Sequence, residues 1–358
     1  MGKKVIIFTG GGSGGHVIPG ITLIKDIQKK YPDYTIKYIG GRRGIEKKLI
    51  KEIKIPYISI FTGKLRRYFS WENFLDIFKL SLGLLQGLFY LVRFSKKNCL
   101  IFSTGGFVSV PVVVAGFLTG KTIFIHEQTS RVGLANRISA FFAKKIFITF
   151  ESSKSYFKKE KVVFSGYPLR DECFEEGIKQ DEICGIKLSS IKKPILFATG
   201  GGNGSLLVNN LILKNKEILE KKFFIFHQVG KDFKEEYETL NSSNYQSFDF
   251  LNEGMVDLFK ASSIVVSRAG AGTVSELMAI GKPSLFIPLK IAQKNEQLFN
   301  ADEARKKLGS IVIEEDELSD DLFLSAVKRL NEQLNEDGPR LRDNMAKKVI
   351  FEEINNFL

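Results

Sequence analysis

A chain of 358 residues that is 44% hydrophobic is long for one ordinary domain and carries apolar content for two cores, so two α/β domains are the first expectation. Its 53 Lys+Arg against 40 Asp+Glu leave a formal charge of +13, which suits an anionic partner, but the basic pairs Lys3-Lys4, Lys47-Lys48, Lys144-Lys145 and Lys158-Lys159 are scattered and form no recognition stripe. Cys99, Cys173 and Cys184, odd in number and without ligand spacing, exclude a disulfide framework and fit a reducing compartment.

An apolar run at residues 5–8 predicts a first strand and leaves no room for a signal peptide, hence a cytoplasmic protein. Directly after it stands Gly10-Gly11-Gly12-Ser13-Gly14-Gly15-His16-Val17-Ile18-Pro19-Gly20. A strand, a glycine loop and a helix start turn backbone N–H groups toward a ligand, and His16 adds a titratable imidazole where a substrate oxygen or phosphate would lie. Gly10, Gly12 and Gly15 also satisfy the dinucleotide pattern G-x-G-x-x-G. An NAD site wants an acid at the end of the next strand, where this chain reads Tyr38-Ile39-Gly40-Gly41-Arg42-Arg43. The arginines would suit a 2′-phosphate, but His16 beside a pyrophosphate argues against a dinucleotide.

A second strand is predicted at 35–39, and residues 74–92 then read as a helix that is apolar nearly all round. Asp76, Lys79, Gly83, Gln86, Tyr90 and Arg93 recur on it at helical spacing as one polar stripe. The charges near its start argue against a membrane span. A deeply packed helix and one partly entering a bilayer interface both fit, with Phe69, Trp71 and the flanking Arg66, Arg67, Arg93, Lys96 and Lys97 favouring anionic headgroups.

Further strands are predicted at 100–103, 122–125 and 145–148, and, after a break at Ser165-Gly166-Tyr167-Pro168, at 195–199, 223–228, 247–251, 264–267, 283–287 and 310–313. Strands alternating with helices imply parallel sheets, and each half opens on a strand and a glycine cluster, the second being Gly200-Gly201-Gly202-Asn203-Gly204. The expected architecture is α/β, two Rossmann-like domains facing a cleft, spanning 1–165 and 166–340, with a C-terminal helix at about 341–358 packing back on the first. In Ser267-Arg268-Ala269-Gly270-Ala271-Gly272-Thr273-Val274-Ser275-Glu276 a strand ends, glycines allow close approach, and a helix is expected near Thr273. The N–H groups of Gly272, Thr273 and Val274 would then face an anion, and Glu276 in the first turn would accept from two ribose hydroxyls; a Ser/Thr-to-Glu capping interaction is the alternative.

The segments 10–20, Gly105-Gly106-Phe107-Val108-Ser109, His126-Glu127-Gln128, Gly166-Tyr167-Pro168-Leu169-Arg170 and 267–276 occur in this order across essentially the whole chain. Together they resemble the MurG family, the bacterial lipid-linked N-acetylglucosaminyltransferases of peptidoglycan synthesis. The resemblance implies a glycosyltransferase-B fold, and inverting transfer of GlcNAc from UDP-GlcNAc to the 4-hydroxyl of an undecaprenyl-diphosphate-linked N-acetylmuramoyl-peptide, at the cytoplasmic face of the plasma membrane as a peripheral protein. It places donor contacts at Ser13, Gly14, Gly15, Arg170, Gly202, Leu251, Ala271, Gly272, Thr273, Val274, Ser275, Glu276 and Gln297, and acceptor contacts at Gly105, Gly106 and Phe107. Glu276 would hold the ribose, the helix start the diphosphate, and Gln297, able to donate and accept, the sugar hydroxyls. The chain departs from the family pattern at Thr129 for Asn, Gly202 for Ser, Glu296 for the first Gln of a pair, and Val110 for a glycine.

For an in-line displacement His16 is the first candidate base and Glu127 the second, while His126 and His227 read as structural. The absence of an Asp-x-Asp pair predicts no metal and no cofactor, the leaving diphosphate being met by backbone amides, a helix dipole and Arg170. The competing functions are a UDP-sugar transferase with another lipid acceptor and a non-catalytic UDP-sugar-binding scaffold. A nucleic-acid partner is not expected, since the charge comes with no recognition motif.

Overall fold

The computed structural model describes residues 4–63, 71–251, 253–290, 295–332 and 344–357, with the side chains of 71–75 also outside the description. Arg66, Arg67, Phe69 and the Trp71 side chain, expected at a membrane surface, lie outside the described residues, as does the stretch 341–343 of the expected last helix. The chain divides into two compact units, one of Met1–Leu169 with Met345–Leu358 and one of Arg170–Asn344.

The first unit alternates strands and helices from its start: β1 (Val5–Thr9), α1 (Gly14–Lys30), β2 (Thr35–Gly41), α2 (Ile45–Glu52), β3 (Tyr57–Ile60), α3 (Trp71–Leu91), β4 (Cys99–Ser103), α4 (Ser109–Leu118), β5 (Thr122–Glu127), α5 (Leu134–Phe142), β6 (Lys145–Ile148) and β7 (Val162–Phe164). Its seven strands pair in the order β3-β2-β1-β4-β5-β6-β7, all parallel. Alternate residues of β1 serve opposite faces: Ile6 and Phe8 pack with α1, and Val5 and Ile7 with α4. β3 and β7 were not expected from the sequence. Both are short edge strands with half-exposed side chains, so their apolar signal is weak.

The second unit carries a small hairpin, β8 (Glu182–Ile183) and β9 (Ile186–Lys187), and then β10 (Ile195–Thr199), α6 (Leu206–Lys214), α7 (Lys216–Glu220), β11 (Phe224–Gln228), α8 (Lys234–Glu238), β12 (Tyr245–Phe248), α9 (Met255–Ala261), β13 (Ile264–Ser267), α10 (Ala271–Ile280), β14 (Leu285–Phe286), α11 (Glu296–Leu308), β15 (Ile311–Val312) and α12 (Asp320–Glu332). Its parallel sheet runs β12-β11-β10-β13-β14-β15. The strand expected at 247–251 lies at Tyr245–Phe248 instead, because Tyr245 is fully buried and paired to Ile225, so Leu251 falls in the loop beyond it. The last helix, α13 (Met345–Phe357), returns to the first unit, where Ile350, Phe351 and Ile354 join the core against β1 and α1.

Both sheets reverse their winding between the first strand and the fourth: β1 beside β4, and β10 beside β13. In open α/β sheets the crevice at this reversal is where ligands bind. All four glycine-rich loops of interest follow these four strands.

The α3 helix is turned opposite to a water-soluble surface helix. Asp76, Gly83 and Gln86 of its polar stripe face inward, while Lys79 and Arg93 are exposed: Gln86 accepts from the Phe61 N–H at 2.8 Å, Asp76 is buried, and a Cβ on Gly83 would lie 2.0 Å from the Phe61 carbonyl oxygen. Its outward face carries Ile77, Phe78, Leu85 and Phe89, the last 73% exposed, and Phe117, Leu118 and Phe141 are exposed on the adjoining helices α4 and α5. No described helix is long and apolar enough to cross a membrane.

Candidate functional site

In the first unit the loops after β1 and β4 meet backbone to backbone. The Gly11 N–H donates to the Gly105 carbonyl at 3.2 Å, and Gly106, at φ +81°, has no space for a Cβ, which would lie 2.0 Å from the Gly11 oxygen. The Phe107 ring covers Gly12. Ser13 precedes α1 in an extended conformation with its hydroxyl off the helix end, and no acid stands in the first turn. The N–H groups of Gly14 and Gly15 therefore remain open to a ligand at a positive helix end.

His16 follows them, partly buried, with Nδ1 3.3 Å from the Gln128 side-chain oxygen. Burial lowers its pKa below the usual histidine value, against the opposing effect of hydrogen bonds to Gln128 and Thr104, so the ring is neutral at neutral pH. Glu127, the second candidate base, does not face the open loops. It is 2% exposed, and its oxygens accept from the Thr129 N–H at 2.9 Å, the Thr129 hydroxyl at 2.8 Å and Asn136 Nδ2 at 3.0 Å. Burial pushes its pKa up despite those donors. Thr129, where the resembled family has Asn, sets its hydroxyl between Glu127 and the Arg131 carbonyl, two acceptors sharing its one proton. His126 is fully buried, donates from Nε2 to the Gly166 carbonyl at 3.0 Å, and is held down to about 4 by burial.

One carboxylate escaped the reading of the sequence. Glu46, in the first turn of α2 and fully buried, accepts from the Gly12 N–H at 3.3 Å and the Gly41 N–H at 3.1 Å. It thus ties the first glycine loop to the end of β2, and a side chain on Gly11, Gly41 or Gly44 would collide with it. The signal was present: a glycine cluster ending a strand, then an acid in the next helix, the same pattern singled out at 270–276.

In the second unit the loops after β10 and β13 are neighbours. Arg268 donates its N–H to the Thr199 carbonyl at 3.3 Å, and its guanidinium reaches Ser205 Oγ at 2.9 Å and Glu315 at 2.6 Å. Gln297 accepts on its side-chain oxygen from Ala269 N–H at 3.2 Å and Leu289 N–H at 3.1 Å. Its oxygen thus holds the turn, and its NH2 remains to donate. Gly202 has ordinary φ and room beside Phe250, so a serine would fit there.

The helix α10 begins at Ala271, two residues earlier than expected, after Gly270 as a cap without a side-chain bond. The Val274 N–H already donates to the Gly270 carbonyl at 3.0 Å, so the open donors are those of Ala271, Gly272 and Thr273, and not that of Val274. Glu276 accordingly lies in the second turn and makes no capping box. Its Oε1 accepts both Arg170 Nε at 3.0 Å and Nη2 at 2.6 Å, which leaves Oε2 for another partner. Burial opposes the Arg170 charge, but the Glu276 carboxylate outweighs it and raises the Arg170 pKa. His227 is a core group, bonded to the Tyr245 hydroxyl at 2.9 Å and Asn209 at 3.1 Å and lowered to about 3 by burial. Ser13, Gly14, Gly15, His16, Gly105, Gly106, Phe107 and Glu127 thus belong to the first unit, and Arg170, Gly202, Leu251, 271–276 and Gln297 to the second.

Comparison with known proteins gives a coherent picture. Residues 6–148 match the glycosyltransferase family 28 N-terminal domain and residues 195–355 its C-terminal domain. A Clostridium tetani protein, 43% identical over 335 residues and covering 92% of this chain and 90% of the relative, is named UDP-N-acetylglucosamine--N-acetylmuramyl-(pentapeptide) pyrophosphoryl-undecaprenol N-acetylglucosamine transferase. A Legionella pneumophila protein of the same name is 40% identical over 328 residues, 90% of this chain and 88% of the relative. Among solved structures, Acinetobacter baumannii MurG matches with a TM-score of 0.73 at 21% identity over 99% of both chains, a likeness of fold.

Proposed function

The chain belongs to glycosyltransferase family 28, and from that we infer its activity: it transfers GlcNAc from UDP-GlcNAc to the 4-hydroxyl of undecaprenyl-diphosphate-linked N-acetylmuramoyl-peptide, with inversion, in peptidoglycan synthesis. The observation that carries this reading is α10, whose open N–H groups precede a carboxylate by little more than one turn. That arrangement suits a nucleoside diphosphate: phosphate at the helix end, ribose hydroxyls donating to Glu276. Ribose hydroxyls donate to the open Oε2 of Glu276 while Arg170 stays on Oε1, its guanidinium supplying positive charge to the leaving diphosphate. Residues 166–340 act as the donor domain and 1–165 with the last helix as the acceptor domain, the loop of Gly105, Gly106 and Phe107 receiving the acceptor diphosphate.

In the transfer His16 takes the proton of the acceptor hydroxyl while its oxygen bonds to the anomeric carbon and the bond to the diphosphate breaks, the electron pair leaving on UDP. Glu127 serves to hold the loop after β5. The exposed apolar face of α3 seats the protein on an anionic membrane surface from the cytoplasmic side, where its lipid acceptor resides. No metal or organic cofactor enters the scheme. The direct test is UDP release from UDP-GlcNAc with and without a short-chain muramyl lipid. Acceptor-dependent release is expected without added divalent ion, and release that ignores the muramyl lipid overturns the reading.

A further inference from the structure

We propose that Gln128 is a positioning residue that fixes His16 in its Nδ1–H tautomer, so that Nε2 is the bare nitrogen offered to substrate. The proposal rests on the reading of His16 as the base. Gln128 follows β5 and is 2% exposed. Its side-chain nitrogen donates to two backbone carbonyls, Thr104 at 2.7 Å and His126 at 3.1 Å. Turning the amide over would set its oxygen against those same two oxygens, an arrangement of acceptors facing acceptors. The two carbonyls therefore determine which atom faces His16, and it is the oxygen, 3.3 Å from Nδ1.

An amide oxygen only accepts, and a neutral imidazole has one N–H and one bare nitrogen. The His16 proton therefore sits on Nδ1 and the lone pair on Nε2. Without Gln128 the ring loses the side-chain acceptor that favours Nδ1–H, and a proton carried on Nε2 instead could not act as a base. Two further contacts serve the same geometry. The Thr104 hydroxyl donates to the His16 carbonyl and holds its backbone. Gly106 lacks a side chain whose Cβ would lie 3.1 Å from His16 Cδ2, on the ring edge next to Nε2. During transfer the hydroxyl proton moves to Nε2, the acceptor oxygen bonds to the anomeric carbon, and the bonding pair to the diphosphate leaves on UDP. The resulting imidazolium keeps its Nδ1–H on Gln128, a neutral partner that lets the new proton go afterwards.

The chain has three histidines, so 15N NMR of the intact, histidine-labelled protein resolves few imidazoles, with His16 assigned by its loss in His16→Ala. The expected result at neutral pH is a protonated Nδ1 and a bare Nε2 for His16; the opposite pattern overturns the proposal. Gln128→Met removes the acceptor at similar volume. It should shift His16 away from the Nδ1–H form and lower kcat by at least about tenfold with KM for UDP-GlcNAc within about twofold. A folded Gln128→Met protein with unaltered kcat also overturns it. The wild-type spectrum decides the tautomer without turnover, so its outcome is separate from that of the base assignment, which turnover by His16→Ala decides.

Discussion

Polar side chains placed behind the glycine loops give those loops their shape. Glu46 draws the Gly12 and Gly41 N–H groups inward, and Arg268 joins the turn after β13 to Ser205 at the start of α6. Glu46→Ala leaves two backbone donors without their acceptor, each worth about 1–3 kcal/mol when buried and unsatisfied. We expect a lower Tm and a loss of acceptor-dependent turnover, with UDP-GlcNAc affinity unchanged by calorimetry; a stable, fully active variant would remove Glu46 from the scheme. An acid was sought at the end of the second strand, where residues 38–43 have none. It stands in α2, where the glycine cluster and following acid marked it, but the pattern did not say that it would reach the Gly12 N–H of the first loop. His16 stood out in the sequence because a histidine among glycines has no core to join. Its lowered pKa gives a signed prediction. With His16 as the proposed base the neutral ring is the active form, so kcat/KM should hold level at and above neutrality and fall as pH drops through a value below about 6.5. A limb centred above that value would show that the group titrating is not this buried imidazole.

At the scale of elements, α3 shows what periodicity conveys and what it omits. The stripe of Asp76, Lys79, Gly83, Gln86, Tyr90 and Arg93 was plain in the sequence, but not that part of it faces inward while Lys79 and Arg93 stay exposed. Direction is set by close approach: Gly83 admits the Phe61 carbonyl and Gly87 admits Ala115, whose Cβ would be 3.0 Å from a Cβ there. Asp76, Gly83 and Gln86 are thereby pulled inward, and the apolar face is left outside. Phe78 and Phe89 are well exposed, so replacing both with Ser should leave Tm nearly unchanged, since exposed substitutions stay within about 0.5 kcal/mol. Each phenylalanine buried in a bilayer contributes about 1.5–3 kcal/mol, so cosedimentation with anionic vesicles should fall by tenfold or more, to about the level of the unbound protein. Unaltered cosedimentation of a folded variant would exclude this face as the membrane contact. The short strands β3, β7, β8 and β9 were illegible for a different reason: few residues, half exposed, give no apolar run for a pattern to register.

For the whole molecule, the two sheets repeat one winding, and each places its paired glycine loops at the reversal. That much was readable because strand, glycine cluster and helix recur in the same order in both halves. The units nevertheless differ in how the chain builds them. The second is continuous from Arg170 to Asn344, whereas the first needs α13 to complete its core. Besides Ile350, Phe351 and Ile354, α13 contributes Lys347, whose ammonium lies 2.7 Å from Asp26 and is nearly buried. A chain ending at residue 344 loses three core side chains worth about 1.5–3 kcal/mol each, enough to unfold a marginal domain. Among the described residues, the core around β10, β13 and α12 draws only on the second unit. Excised, that unit should fold alone and bind UDP-GlcNAc within about tenfold of the full chain, with Glu276→Ala weakening that binding by about one to two decades through loss of a charged acceptor. Calorimetry on the excised unit separates two origins of donor affinity. Retained binding places it at α10, Glu276 and Arg170, whereas a folded unit that fails to bind assigns it instead to Ser13, Gly14 and Gly15.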